Sequence, residues 1–179
     1  MIPATRKKLR ETQFFFAHLE QQGRVPVWKA NPEVAEFYFN AFVSAARTVT
    51  LALQNEAKLQ YDAWFEPWLA ARSPAERLLL KRFNAERVEV IHREGSDLSS
   101  RNVLTPHDEV FPATANDTVA HIVARMRNRE SNAQVGTLQL VCRFSHDGEE
   151  AIAVHVGKDY VELLVVLVDE FCSAHGSAA

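Results

Sequence analysis

Apolar residues recur along most of this chain every three or four positions, the spacing of one face of an α-helix. Over residues 5–22, Leu9, Phe15, Phe16 and Leu19 keep that period, Gly23 ends it and Pro26 follows. The signal is strongest after Asn31, which can cap a helix, and Pro32, which suits a first turn because the N–H it lacks has no partner there. Val34, Phe37, Tyr38, Ala41, Phe42, Ala45, Val49, Ala52 and Leu53 then form a wide apolar face. Phe39, Val43 and Leu51 add apolar positions outside it, which predicts a central helix covered on several sides. Residues 61–71 predict an aromatic helix with Tyr61, Trp64, Phe65 and Trp68, kinked or split at Pro67. Ser73-Pro74-Ala75-Glu76 is a capping-box pattern opening a further helix with Leu78, Leu79, Phe83, Val90 and Ile91, which stops before Gly95.

The period changes after Gly95. Ser, Asn, Pro and Asp predict a long loop to Asp117. Alternation then predicts three strands, over residues 120–126, 138–144 and 152–156, with Asp147-Gly148 as a hairpin turn between the last two. Asp159 and Glu162 resemble another capping box, opening a last helix with Tyr160, Leu163, Leu164, Leu167 and Phe171. Val161, Val165, Val166 and Val168 also fit a strand, but length and caps favour the helix. The expected fold is mainly α: a helical bundle with a small inserted antiparallel β-sheet before the last helix, α+β by label. The chain reads as one domain over residues 1–179, with residues 95–156 as loop plus β insertion.

Composition narrows the class. The 179 residues are 47% hydrophobic and 24% charged, enough apolar surface for a real core without staples. A formal net charge of −3 gives no general attraction to nucleic acid or an anionic membrane, so any such contact needs a local basic patch. Cys142 and Cys172, far apart, read as two reduced thiols. No apolar run approaches signal-peptide or membrane-spanning length, so the expected location is the cytoplasm. His107, His121, His146 and His155, with Asp108 and Asp147, follow no ligand spacing, and neither a metal nor another cofactor is expected.

One short segment carries candidate chemistry. Arg87-Val88-Glu89-Val90-Ile91-His92 lies at the predicted end of a helix. Arginine followed by four residues and histidine resembles the signature of the HEPN superfamily, the higher eukaryotes and prokaryotes nucleotide-binding domains. The resemblance implies a small helical bundle, often a homodimer, and in many members a metal-independent endoribonuclease of toxin or defence type. It also implies that Arg87 and His92 meet at a composite site between two protomers. The residue types suit that chemistry. A histidine titrates in the range needed to take the proton of an RNA 2′-hydroxyl. An arginine supplies a fixed planar cation where charge builds on phosphate.

Five residues along a helix turn about 500°, which leaves the two positions roughly 140° apart. The pair therefore needs the helix to unwind near His92, or a second copy to complete the site. Many active members carry a polar residue directly after the arginine, where this chain has Val88. That departure and the mild negative charge favour the alternative function, a non-catalytic interaction or scaffold protein that keeps the bundle and binds a protein partner.

Asn40, Ser44, Arg47 and Gln54 fall on one stripe of the second helix. Asn40, Ser44 and Arg47 are candidate substrate-binding residues, since a polar stripe on so apolar a helix is costly if buried without partners. Ion pairing with a neighbouring helix, or exposure to water, would explain the stripe equally. The basic residues Arg72, Arg77, Lys81, Arg82, Arg87 and Arg93 interleave with acids and read mostly as a solvated face. Trp64, Phe65 and Trp68 read as core or dimer interface rather than a base-stacking platform.

Overall fold

The computed structural model describes residues 2–25, 29–92, 98–106, 136–146 and 149–176; between residues 86 and 151 it describes the backbone only, apart from the side chain of Arg143. The described residues are mainly helical. Five helices run over Pro3–Arg24 (α1), Pro32–Glu56 (α2), Lys58–Ala70 (α3), Pro74–His92 (α4) and Ala153–His175 (α5). The capping patterns act as the residue types dictate. The Asn31 side chain accepts from the Glu33 N–H at 3.0 Å. Ser73 and Glu76 exchange hydrogen bonds, Ser73 N–H to Glu76 Oε2 at 2.7 Å and Glu76 N–H to Ser73 Oγ at 3.2 Å.

Helix α2 is the central element and packs against α1, α3, α4 and α5. Its buried face is rotated from the predicted one. Phe39, Val43 and Ala46 are in the core with Phe42, Val49 and Leu53, while Phe37 is 60% exposed. A helix apolar nearly all round has no unique apolar azimuth, so the neighbours decide which stripe is buried. Helix α3 continues through Pro67 without a break, its ring lying on the exposed side near the helix end. Trp68 is buried, and its indole N–H donates to Glu170 Oε2 at 2.6 Å, so the aromatic segment is core that ties α3 to α5. Trp64 adds an edge contact to Phe171, with ring centroids 5.2 Å apart.

The last helix begins six residues before the predicted capping box. Val154, His155 and Val156 lie in its first turn, not in a strand, and Asp159 and Glu162 are exposed inside it. Ala153, Gly157, Tyr160, Val161, Leu164 and Val168 form its buried stripe. That stripe has helical spacing, and small residues at 153 and 157 let the helix approach its neighbours. A Cβ on Gly157 would stand 3.0 Å from Phe16 Cε2 and 3.3 Å from Phe42 Cε1.

Between α4 and α5, strands Leu98–Pro106 (β1), Gly136–His146 (β2) and Glu149–Ile152 (β3) pair antiparallel in the order β1-β2-β3. Arg101 faces Val141 in the first pair, and His146 faces Glu149 in the second. β1 falls where the sequence predicts a loop. Its Ser, Arg and Asn residues lack apolar alternation, but ladder pairing needs only backbone partners, which β2 supplies. The strand predicted over residues 120–126 lies outside the described residues.

Candidate functional site

Helices α2, α3 and α4 and the start of α5 enclose a cleft of about 460 Å³. From α2 come Arg47, Thr50 and Gln54, at spacings of three and four that put them on one helix face. From α3 come Tyr61 and Phe65, whose rings stack with centroids 4.8 Å apart, and, one residue after each, Asp62 and Glu66. From α4 come Arg77, Leu80, Lys81 and Asn84, again one helical stripe. Tyr160 of α5 closes the inner end, stacked on Phe83 at 4.0 Å between ring centroids.

Arg47 is the main charge of the inner wall. Its side chain is half-buried, and a guanidinium N–H donates to Thr50 Oγ1 at 2.9 Å. Its Nε is buried and has no hydrogen-bond partner among the described residues. A guanidinium nitrogen withdrawn from water without an acceptor is costly, so this arrangement suits an anion entering the cleft. Tyr61 and Tyr160 are both buried. Burial pushes the Tyr61 hydroxyl up to about 12, with Arg47 pulling the other way and Asp62 and Glu66 adding to the rise. Burial likewise pushes Tyr160 up to about 12, against the pull of Arg47. At neutral pH both phenols are therefore uncharged and able to donate.

The sequence-derived site residues divide between this cleft and other places. Arg47 is in the cleft wall, with Gln54 of the same predicted stripe. Asn40 and Ser44 are half-buried and do not line the cleft; Asn40 Oδ1 is buried with no partner among the described residues. Arg87 and His92 both lie within α4, which stays helical through His92. The helix does not unwind between them, so their backbone positions keep the roughly 140° separation. Arg87 is three residues beyond Asn84, on the continuation of the cleft stripe, whereas His92 stands half a turn round the helix from the core residue Phe83.

Tyr61, Thr50 and Tyr160 were not legible as site residues. The available signal was Arg47 itself, a cation three residues before Thr50 on a helix otherwise built for the core. Among the described residues, no three His, Cys, Asp or Glu side chains gather closely enough to hold a metal ion, and no helix is long and apolar enough to cross a membrane. Comparison with known proteins gives no match, whether to a family model, a curated protein or a solved structure.

Proposed function

We propose that this chain is a HEPN-like helical bundle, with the segment between α4 and α5 inserted before its last helix, that cleaves RNA without a metal at a site shared by two copies. The observation that carries the reading is an Arg-x4-His sequence near the end of α4, in a mainly helical protein whose central helix packs against that element. His92 takes the 2′-hydroxyl proton, the 2′-oxygen attacks phosphorus, and the P–O5′ bond breaks as the 5′-oxygen takes a proton from water, whose hydroxide the His92 imidazolium neutralises, giving a 2′,3′-cyclic phosphate. Arg87 holds the phosphate oxygens as charge builds on them. Because α4 is helical through His92, the arginine of one copy works with the histidine of the other. Leu78, 54% exposed, sits within about 40° of His92 on the same helix and gives that outer face an apolar anchor for a homodimer.

A second reading is favoured by the same unbroken helix, which separates Arg87 from His92 within one copy, and by Val88 after the arginine. In it the bundle is a non-catalytic interaction protein that engages a protein partner. Incubating purified protein with RNA in excess chelator separates the two readings. The first expects cleavage by the wild type and none by Arg87→Ala or His92→Ala. No cleavage by any of the three, or equal cleavage by all, supports the second.

A further inference from the structure

The Arg47 cleft has a chemistry of its own, one turn of α4 away from Arg87. Its charges are Arg47, Arg77 and Lys81 against Asp62 and Glu66, three positive and two negative, a net charge of +1. Arg77 also donates to the Ala70 carbonyl at 3.4 Å, and Asp62 is paired with Lys58. Arg47 is partnered by the Thr50 hydroxyl but by no carboxylate among the described residues, and its Nε has no acceptor there. The neutral wall has an apolar part, the stacked Tyr61 and Phe65 rings with Leu69 and Leu80, beside the polar Thr50, Gln54 and Asn84.

From these features we infer that the cleft binds a small organic monoanion, a carboxylate carried on a flat apolar body, with Arg47 as its charge partner. The planar guanidinium matches a carboxylate, and the Tyr61 and Tyr160 hydroxyls supply neutral donors beside it, while Thr50, whose own hydroxyl donates to the Arg47 carbonyl at 3.1 Å, steadies the guanidinium. The ring body lies against Tyr61, Phe65 and Leu80. The Asp62 and Glu66 carboxylates disfavour a polynucleotide strand here, because its neighbouring phosphates would meet like charge. This inference does not depend on the RNA reading, since neither Arg87 nor His92 takes part.

The test uses the full chain and 2-naphthoate as probe, with neutral 2-naphthamide, adenosine monophosphate and an RNA oligonucleotide as comparisons, read by titration calorimetry. The inference predicts saturable one-to-one binding of 2-naphthoate, with at least roughly tenfold weaker binding of the amide and of Arg47→Gln protein, the scale of one lost charge-assisted hydrogen bond. Glu66→Gln removes a rim charge without touching Arg47 and should tighten binding several-fold, which keeps the inference testable if Arg47→Gln does not fold. Equal affinity for naphthoate and naphthamide would mean apolar adsorption and overturn it. So would undiminished binding by folded Arg47→Gln, weaker binding by Glu66→Gln, no saturable binding, or tighter binding of the nucleotide or the oligonucleotide. His92→Ala protein should bind naphthoate as the wild type does, so loss of RNA cleavage and loss of this site are separate results.

Discussion

The Thr5 hydroxyl donates to Glu56 Oε2 at 2.7 Å, and this joins the first turn of α1 to the last residue of α2. The same carboxylate accepts the Ala4 and Thr5 N–H groups at 2.8 Å each, so a residue about fifty positions away caps α1 in place of a local side chain. Partial desolvation pushes the Glu56 carboxyl up, but the Thr5 hydroxyl and the two N–H groups outweigh it and leave it below its ordinary value. The hydrogen bonds and the positive end of the helix favour the charged form together.

Glu56→Ala should therefore cost about 1 kcal/mol of stability, the usual scale of losing a helix cap. The pH dependence has a definite sign. A carboxyl with a lowered folded pKa stabilises above its ordinary pKa, and that contribution is lost as pH falls through the folded value. Denaturant titrations of both proteins at neutral pH and at about pH 3 should show the difference between them shrink in acid. An equal gap at both pH values would mean that the carboxylate's charge plays no part.

Gly157 makes a second testable contact. It is buried in α5, and the Phe16 and Phe42 rings fill the space where a side chain would stand. Gly157→Val should lower stability by about 1–3 kcal/mol, the typical range for overpacking a core. Thermal unfolding would read this directly, and an unchanged midpoint would mean that α5 does not sit this close to α1.

The two buried phenols predict an alkaline transition. A group whose folded pKa is raised stabilises fully below its unfolded pKa and loses that contribution as pH rises through the folded value. Here the window runs from the ordinary value of 10 to about 12. Stability should fall across it by up to about 1.4 kcal/mol per pH unit for each phenol. In Tyr160→Phe protein the fall should be shallower, measured by denaturant unfolding at stepped alkaline pH. The same slope in both proteins would mean that Tyr160 ionises freely when folded.

Much of the fold was legible because it depends on local chemistry. Asn31 with Pro32, and Ser73 with Glu76, set helix starts through bonds between near neighbours, and a sequence pattern records such bonds well. The misses needed knowledge of neighbours. Val154 and Val156 alternate like a strand, but the small residues Ala153 and Gly157 let this segment pack as a helix against Phe16 and Phe42. Phe39 and Phe37 differ in burial only because α1, α3, α4 and α5 enclose one side of α2 and not the other. At the site, Arg47 stood out as a cation on an apolar helix. Tyr61 and Tyr160, about a hundred residues apart, meet it only through the packing of α3 and α5 on α2.

In the proposed shared site, Arg87 of one copy acts with His92 of another. The most direct measurement mixes Arg87→Ala and His92→Ala proteins, unfolds and refolds them together, and assays RNA cleavage in excess chelator. In a mixed dimer one of the two sites regains a native arginine and a native histidine. With random pairing the mixture should then recover roughly a quarter of wild-type activity, although each variant alone has none. A mixture as inactive as its components, beside an active wild type, would contradict the shared site and place both residues' work within one copy.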